Sequence, residues 1–378
     1  MTARKADAIV VGAGIVGAAC AAALARDGLR VLVIDAGGAA LGTTAAGMGH
    51  VVVMDDSPEQ LALTRYSRSL WRAQNDAVRV ASELDWCGTV WVAEDETQLD
   101  TLPAKQQLYR EHGIDTEVLD ETSLIEAEPQ LRRGLAGGLL VPSDGVIYQP
   151  AATIALLALA RTMGAEVLER MPVEEIVPCG VRCGADTLRA DVIVNAAGAA
   201  AASLTPQLPV IPRKGHLVIT ERYPGFCRHQ VAELGYLASA HVMTSESVAC
   251  NVQPRSTGQV IVGSSRELVG WDASVNRRVL GKMIARACAF MPGLADLTTV
   301  RTWTGFRPAT PDKLPLIGRW PEVPGLWIAA GHEGLGITMA LGTAELLTAQ
   351  MLGRESPVDP VPFAPGRVMA ATCSDVES

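Results

Sequence analysis

The first apolar stretch of the chain, AIVVGAGIVGAACAAALA at residues 8–25, contains no charged residue. It is about as long as a membrane-spanning helix, and the basic residues at positions 4 and 5 imitate the start of a signal peptide. Its pattern is uneven, however, because a β-branched run gives way to glycines, then to alanines, and finally to a polar break at 26–28. This order predicts a buried strand, a turn and a helix.

A second apolar strand, LRVLVID, follows the helix and ends in Asp35. Strand, Gly12-x-Gly14-x-x-Gly17, helix, strand and acid are the parts of a dinucleotide-binding unit. In that unit Gly12 allows the tight turn, Gly14 lets the backbone approach a pyrophosphate, and Gly17 lets the helix pack on the strand. Asp35 accepts hydrogen bonds from ribose hydroxyls, and because no basic residue stands beside it NADP is disfavoured, while NAD and FAD remain open. The predicted contacts of this unit are Gly12, Ala13, Gly14, Ile15, Val16, Gly17, Asp35 and Ala36.

Two later segments repeat the order of apolar strand, small residues and helix. They are RADVIVNAAGAAAASL at 189–204 and PGLWIAAGHEGLGITMALGTAELLTAQMLG at 324–353, and a helix followed by a strand is predicted at 149–169. Between them lie GTVWVA, KGHLVIT, SVACNVQ and GQVIVGSS, whose alternation and turn residues predict an antiparallel sheet. One long helix is also predicted from about Pro58 to Leu84.

These patterns predict an α/β fold in which a discontinuous Rossmann-like nucleotide-binding domain is combined with a substrate domain built on a mixed or antiparallel sheet. The nucleotide-binding domain is assigned residues 1–84, 146–210 and 305–355, the substrate domain residues 85–145 and 211–304, and a flexible tail residues 356–378.

Composition removes several classes of function. A net charge of −9 argues against nucleic acid and anionic lipid as partners, because both require a basic face. The eight cysteines are scattered, with no C-x-x-C and no matching histidine pairs. This usage favours reduced thiols in a cytoplasmic protein and predicts no metal site.

Several motifs in order resemble the D-amino-acid oxidase-like, FAD-dependent amine oxidoreductases, which include glycine oxidase, sarcosine oxidase and D-amino-acid dehydrogenases. They are VVGAGIVG, GTTAAGMGH, VNAAG, GFRPATPDKLPLIG and IAAGHEGLGITMALGTAELL, and the resemblance covers 6–353. GMGHVVVMDDS with GHEGLGIT is most similar to the D-hydroxyproline dehydrogenases. The resemblance implies a glutathione-reductase-like fold, noncovalent FAD, and oxidation of the Cα–N bond of a small amino acid such as cis-4-hydroxy-D-proline.

The resemblance extends the cofactor site. Thr43 and Thr44 would place hydroxyls near the pyrophosphate, and the backbone of Val173 would meet the adenine. The helix after GHEGLGIT would direct its positive amino terminus at the flavin. Small or ring-contacting residues complete the predicted set: Ala46, Gly47, Met48, Gly49, His50, Ala196, Ala197, Gly198, Gly305, Arg307, Gly331, His332, Glu333, Gly334, Leu335, Gly336 and Ile337.

Four residues are assigned to the reaction itself. Arg307 corresponds to the family arginine that binds the substrate carboxylate, through a planar fork that lysine lacks. Asn251 stands where glycine oxidases have a tyrosine, which suggests a different pocket. Glu333 is predicted either to face the substrate ammonium or to be an exposed, solvated acid. The proton that the substrate ammonium loses is predicted to go to water or to His50. His332, in the glycine loop, is interpreted as a residue that packs against the flavin rather than as an acid or base.

The electron acceptor and the partners follow from the same resemblance. Oxidases commonly place a positive charge above the flavin, and the nearest candidate, Lys214, is expected to be solvated. We therefore predict a dehydrogenase, either a subunit of a hetero-oligomer that relays electrons or a homo-oligomer, cytoplasmic or peripheral at the inner membrane through its acceptor. The alternatives are a glycine or sarcosine oxidase that uses oxygen, a nicotinamide-dependent dehydrogenase, and a noncatalytic FAD-binding subunit.

Overall fold

The computed structural model describes residues 6–235 and 246–367. The helices of this part are α1 Ile15–Arg26, α2 Thr43–Ala46, α3 Pro58–Arg72, α4 Asp76–Ala81, α5 Glu96–Leu99, α6 Leu102–Glu111, α7 Glu121–Ala127, α8 Gln149–Thr162, α9 Ala201–Leu204, α10 Arg277–Phe290 and α11 Gly336–Met351. Its strands are β1 Ala8–Val11, β2 Val31–Ile34, β3 His50–Val51, β4 Thr89–Ala93, β5 Glu117–Asp120, β6 Gly137–Val141, β7 Gly145–Val146, β8 Glu166–Leu168, β9 Glu175–Val177, β10 Gly180–Cys183, β11 Asp186–Arg189, β12 Val192–Asn195, β13 Ile211–Arg222, β14 Gln230–Glu233, β15 Glu246–Pro254, β16 Gln259–Glu267, β17 Thr299–Ala309, β18 Leu316–Arg319 and β19 Leu326–Ala330.

A six-stranded sheet in the order β18-β19-β12-β1-β2-β8 forms the first half of the fold. All neighbours are parallel except β18 and β19, which are antiparallel. Alternate residues of β1 serve two layers, since Ala8 and Val10 pack with the helices whereas Ile9 and Val11 pack toward the β9–β11 meander. The discontinuous Rossmann-like arrangement is therefore confirmed, with its strands drawn from three separate parts of the chain.

Helix α1 explains why the first apolar stretch carries no charge. Ten of its twelve residues are buried, and six of those ten are alanines that allow close contact with α8 and α11. A helix that is buried on every side needs apolar residues all round, and a membrane-spanning helix needs the same. The two kinds of helix therefore look alike in a sequence. No helix in the described ranges is long and apolar enough to cross a membrane.

An eight-stranded sheet in the order β17-β13-β16-β15-β14-β4-β6-β5 forms the second half. It is antiparallel apart from the β14–β4 pair, and it contains all four stretches that the alternation predicted as strands. Strand β17 runs along the edge of this sheet, and the chain then enters β18 of the other sheet. The connection from β17 to β18 thus joins the two sheets. The exact domain boundaries remain a prediction.

The long helix predicted from Pro58 to Leu84 is wrong, because the chain forms α3 and α4 with a break between them. The side chain of Asn75 accepts a hydrogen bond from the Val78 amide and begins α4. An asparagine whose side chain caps the start of a new helix in this way disfavours the continuation of the preceding helix through the same residue. Ser57 caps the start of α3 in the same manner, through the amide of Gln60.

The predicted flexible tail is also wrong over residues 356–367, while 368–378 lie outside the described residues. A short 3₁₀ turn, Val361–Phe363, packs beside β18, and Phe363 is completely buried in the core of the six-stranded sheet. Arg367 forms an ion pair with Asp312 at 2.8 Å. One aromatic residue within a proline-rich segment is enough to fix the chain when the core has a place for its ring.

Replacing Phe363 with alanine should lower the free energy of unfolding by roughly 3–5 kcal/mol, since it removes a fully buried aromatic ring. Val361 is 71% exposed in the same turn, so Val361→Ala is the matched control and should change stability by less than about 0.5 kcal/mol. Denaturant unfolding of the FAD-saturated protein measures both. Equal, small effects of the two substitutions would mean that the segment does not pack as described.

Candidate functional site

A cavity of about 510 Å³ opens at the carboxyl ends of β1, β2, β12 and β19 and extends to β13 and β17 of the second sheet. Ligands of doubly wound folds bind at this edge. The predicted residues that line it are Gly12, Gly14, Ile15, Val16, Asp35, Ala36, Thr43, Thr44, Ala46, Gly47, Met48, His50, Val173, Ala196, Ala197, Gly198, Asn251, Gly305, Arg307, His332, Glu333, Gly334, Gly336 and Ile337. The structure thus brings together residues that lie up to 325 positions apart in the sequence, from Gly12 to Ile337.

The glycine turn after β1 has no room for side chains. A Cβ atom on Gly12 would lie 2.4 Å from the carbonyl oxygen of Ala196, and one on Gly17 would lie 1.9 Å from the carbonyl oxygen of Gly12. Gly12 also has a φ of 111°, which disfavours other residues. The close packing predicted for Gly17 is therefore present as a backbone contact between the helix and the turn.

The amino terminus of α1 faces this cavity without a side-chain cap on Gly14. The Ile15 amide donates to the Thr44 hydroxyl at 3.0 Å, which places that hydroxyl at the start of the helix. Thr43 is directed elsewhere, since its hydroxyl donates to the Phe306 carbonyl at 2.6 Å. A helix start, a glycine turn and a nearby hydroxyl are the parts that hold a pyrophosphate.

The carboxylate of Asp35 lies at the end of β2 and is held by two amides. Oδ2 accepts from Ala13 at 2.7 Å and Oδ1 accepts from Gly37 at 2.8 Å. Each carboxylate oxygen has a second lone pair, so both can still accept hydrogen bonds from ribose hydroxyls. Together with the start of α1 and the glycine turn, this carboxylate makes a cradle that fits the adenosine and pyrophosphate of FAD.

Five predicted cofactor residues lie outside the lining of the large cavity: Ala13, Gly17, Gly49, Gly331 and Leu335. Their roles are those of packing and positioning around it. Gly49 has a φ of 117° and lies against the Ile147 carbonyl, and Gly331 has a φ of 82° and lies against Thr310. Leu335 lines a smaller neighbouring cavity.

His50 occupies the end of the large cavity that lies against the second sheet. Its Nδ1 is 2.8 Å from the Gln230 side-chain oxygen, and its Nε2 is 3.4 Å from the Asn251 amide nitrogen. Burial lowers the pKa of His50 to about 4, the hydrogen bond to Gln230 opposes this, and the charge of Arg307 lowers it further. His50 is therefore neutral near pH 7, and Nδ1 carries its hydrogen if Gln230 accepts.

Arg307 projects into the large cavity from β17, opposite Arg213 on β13. Its Nη1 donates to the carbonyl oxygen of Ser265 at 2.9 Å, which fixes the guanidinium. A Cβ atom on Gly215 would lie 2.3 Å from Nη1, so this glycine makes room for the group. Gly215 was not predicted as a site residue, although a glycine inside a strand indicates close approach by another group.

Glu333 is buried between arginines, so the alternative of an exposed, solvated acid is wrong. Its side chain is 17% exposed, and Oε1 lies 3.6 Å from both Arg213 Nη1 and Arg266 Nε. Burial alone raises the pKa of this carboxyl, but Arg266, Arg307 and Arg213 outweigh it and lower the pKa below its usual value. Glu333 is thus ionised at the amino-terminal side of α11.

The two arginines were missed by the sequence interpretation. Arg213 and Arg266 are each 2% exposed, and they belong to the adjacent strands β13 and β16. The signal that could have found them is a charged residue inside an apolar strand, because such a residue needs a buried partner. Their meeting at Glu333 required the strand order, which the sequence did not reveal.

Lys214 is not solvated as expected, and it does not line either cavity. It is 1% exposed, and its Nζ lies 3.3 Å from Asp272 and 3.5 Å from Glu267. His332 is buried, with Nε2 2.9 Å from the Thr343 hydroxyl, and its packing against the flavin remains a prediction. Burial lowers the pKa of His332 to about 3.

Cysteines do not contribute to this site within the described ranges. The seven cysteines there are free thiols, and none of them lines the two cavities. No group of three or more histidine, cysteine or acidic side chains in those ranges is arranged to hold a metal ion.

Comparison with known proteins agrees with this geometry. Residues 7–350 match the family model DAO, described as FAD dependent oxidoreductase. A glycine oxidase from Pseudomonas aeruginosa is 29% identical, over 94% of this chain and 98% of that protein. The crystal structure of glycine oxidase from Geobacillus kaustophilus has a TM-score of 0.86 at 27% identity, covering 95% and 98% of the two chains. An L-proline dehydrogenase from P. horikoshii shares the fold, with a TM-score of 0.87 at 23% identity and coverage of 97% and 98%.

Gly17→Ala should weaken FAD binding by at least about tenfold, because the new Cβ displaces the turn that faces the pyrophosphate. Gly281→Ala is the control, since that helical glycine faces open space and tolerates a side chain. The ratio of bound flavin to protein, measured by absorbance during titration of the apoprotein, reports both. Wild-type affinity in Gly17→Ala would show that the turn is not the phosphate cradle.

Proposed function

The chain belongs to the DAO family of FAD-dependent oxidoreductases and is an FAD-dependent amino acid or amine oxidoreductase. On this premise we propose that it oxidises the Cα–N bond of a small amino acid held by Arg307. One observation carries the proposal. The Arg307 guanidinium, fixed by the Ser265 carbonyl, lies in the same cavity as the glycine turn and Asp35. A group suited to bind a carboxylate and a dinucleotide cradle therefore share one cavity.

Arg307 orients the substrate. A carboxylate can lie against its planar guanidinium through two parallel hydrogen bonds, which fixes the adjacent Cα–H bond in direction as well as in position. FAD, when bound, accepts the hydride and its two electrons. The glycine turn, Asp35 and Thr44 would hold its nucleotide part, and the amino terminus of α11, which lines the same cavity, provides a positive potential there. The imine product is hydrolysed by water.

His50 serves as a hydrogen-bond acceptor for the substrate amine in this proposal. With Nδ1–H donated to Gln230, Nε2 accepts a long hydrogen bond of 3.4 Å from the Asn251 amide, which a substrate N–H can replace. The low pKa of His50 makes it a weak base, so the amine should react after losing its extra proton to water. His50 then positions the neutral amine, whose nitrogen lone pair assists hydride departure.

FAD is proposed to be held without a covalent bond. Both ring nitrogens of His50 are engaged, with Gln230 and Asn251, and Nε2 of His332 is engaged with Thr343. The described cysteines are all outside the cavity lining. The residues that attach flavins covalently, histidine and cysteine, are therefore occupied or distant in this part of the chain.

The motif resemblance supports cis-4-hydroxy-D-proline as one substrate of this class. Asn251 replaces the tyrosine of glycine oxidases, and its buried side-chain oxygen has no hydrogen-bond partner among the described residues. That oxygen can accept a hydrogen bond from a substrate N–H or O–H group. The relatives named glycine oxidase support glycine or sarcosine as the alternative substrates.

The electron acceptor distinguishes a dehydrogenase from an oxidase. We propose a dehydrogenase, because Lys214, the candidate for the positive charge that oxidases commonly place above the flavin, does not line the cavity. It would pass electrons to a partner subunit or carrier, in the cytoplasm or at the inner membrane surface. An oxidase is the second candidate, since Arg307 brings positive charge into the cavity and two of the relatives named above are glycine oxidases.

Arg307→Ala should lower kcat/KM by about two orders of magnitude, because removing the charge-assisted clamp costs about 3 kcal/mol of transition-state binding. Arg307→Lys should lose nearly as much, since an ammonium cannot form the planar pair. Anaerobic reduction of the flavin by the amino acid measures the effect, with flavin content checked in each variant.

Arg301→Lys is the matched control, because Arg301 lies on the same strand but is exposed and contacts Trp303. It should retain wild-type kinetics. Near-normal turnover of a carboxylate substrate by Arg307→Ala would place the carboxylate on another residue.

The reduced flavin should react slowly with oxygen and quickly with an artificial dye, because no lysine lines the large cavity within the described ranges. Stopped-flow mixing of the substrate-reduced enzyme with air-saturated buffer, and separately with the dye, measures the two rates. Hydrogen peroxide formed in step with substrate loss would contradict the dehydrogenase and favour the oxidase.

A further inference from the structure

Strand β16 carries two consecutive serines in different surroundings. The hydroxyl of Ser265 is engaged with His216, because its Oγ accepts from the His216 amide at 2.9 Å and lies 2.9 Å from Nδ1. Ser265 lines neither cavity, whereas Ser264 lines the large one. Of the two serines, only Ser264 can therefore present a hydroxyl to the site.

The hydroxyl of Ser264 is buried without a hydrogen-bond partner. The residue is 2% exposed, and its Oγ forms no hydrogen bond within the described ranges. A hydroxyl that is held out of water in this state is unfavourable, because it has lost its bonds to water and gained none in return. Buried polar groups are rarely left so, and one that lines a cavity can obtain its partner from a molecule that binds there.

The ability to donate distinguishes Ser264 from the other unpartnered groups of the large cavity. Three residues of its described lining have a buried side-chain oxygen without a hydrogen-bond partner: Asn251, Ser264 and Glu333. The Asn251 amide oxygen and the ionised Glu333 carboxylate can only accept hydrogen bonds. A hydroxyl donates as well as accepts, so Ser264 is the member of this set that suits an anionic group of a ligand.

The guanidinium of Arg307 lies against the part of β16 that carries Ser264. Arg307 belongs to β17, and Gly215 of the intervening strand β13 leaves room for its side chain, since a Cβ atom there would lie 2.9 Å from Cζ. The guanidinium thereby crosses β13 and donates from Nη1 to the Ser265 carbonyl at 2.9 Å. Ser264 directly precedes Ser265 and lines the same cavity as Arg307, so a ligand group at the guanidinium is also close to Ser264.

We propose that Ser264 donates a hydrogen bond to the substrate carboxylate and completes the binding site that Arg307 begins. The inference rests on the proposed function, in which Arg307 binds that carboxylate. An arginine has five N–H groups, of which the Ser265 carbonyl takes one from Arg307. A carboxylate that accepts two of the others still has free lone pairs, and one of these accepts from the Ser264 hydroxyl.

A donor on a second strand changes how firmly the carboxylate is held. Two parallel hydrogen bonds from one guanidinium leave the substrate free to tilt about the axis through its two carboxylate oxygens. A further hydrogen bond from β16 limits that tilt and so fixes the direction of the Cα–H bond. Ser264 should therefore affect both the affinity for a carboxylate and the rate of hydride transfer, and it should not affect the affinity for FAD.

Titration of the holoenzyme with acetate, followed through the flavin spectrum, tests the inference. Ser264→Ala should raise the Kd of acetate by about tenfold, because a hydrogen bond to a charged acceptor is lost. Ser247→Ala is the matched control, since the Ser247 hydroxyl on β15 is also buried without a partner but Ser247 lines neither cavity. It should leave the Kd of acetate unchanged, and titration of both apoproteins with FAD should give wild-type affinity.

A double variant assigns the hydroxyl to the carboxylate that Arg307 binds. Ser264→Ala should lower kcat/KM for the amino acid by about tenfold or more in the wild-type background. It should lower kcat/KM by a clearly smaller factor in Arg307→Lys, because a carboxylate that has lost its planar pair is no longer held against Ser264. Equal factors in the two backgrounds would place the hydroxyl on another part of the ligand and overturn the inference.

Ser264→Cys keeps nearly the same side-chain shape and chiefly weakens the donor, so it provides the same test if Ser264→Ala does not fold, with a smaller rise in the Kd of acetate. An unchanged Kd in a folded Ser264 variant, or weaker FAD binding with acetate binding retained, would overturn the inference and leave the proposed function intact. If no amino acid reduces the flavin of the wild-type holoenzyme, the proposed function itself fails.

Discussion

The arrangement of this site depends on the placement of several ionised side chains where two sheets meet, largely out of water. Glu333 is the central group, since Arg213 and Arg266 both approach its Oε1 and Arg307 acts on it through space. Removing charges from water costs several kcal/mol per ion unless partners compensate. The strands that carry the arginines and the loop that carries the glutamate must therefore keep a fixed relation for the protein to remain folded.

The ladder between β13 and β17 supplies that relation. Arg213 and Arg307 are partners in this ladder, and Gly215 pairs with Gly305 two positions further along. Both glycines are close-packed, one against the Arg307 guanidinium and the other against Ala46 of α2. Because Gly215 and Gly305 have no side chains, the eight-stranded sheet can approach the nucleotide-binding half closely enough to make one continuous cavity.

Local patterns were sufficient to predict the nucleotide-binding half, because the glycine turn, α1 and Asp35 lie within one short segment. The spacing of the glycines in that segment follows from the close contact between Gly17 and the Gly12 carbonyl. Arg213, Arg266 and Glu333 could not be grouped in this way. They come from three separate segments: the adjacency of β13 and β16 brings the two arginines together, and the Glu333 amide, which donates to the Pro308 carbonyl of β17 at 2.9 Å, holds the glutamate beside them. Phe363 escaped prediction for a related reason, since its partners in the core are distant in sequence and it lies in a proline-rich segment.

Burial and the same guanidiniums together set the charge of the two titratable groups that face both cavities. Arg307 adds to the effect of burial and lowers the pKa of His50, and with Arg213 and Arg266 it lowers the pKa of Glu333. Near neutral pH His50 is therefore neutral and Glu333 is ionised. Because neither group changes its charge there, the amine of the substrate is the group whose ionisation should control the reaction, and the protein presents it with a constant field.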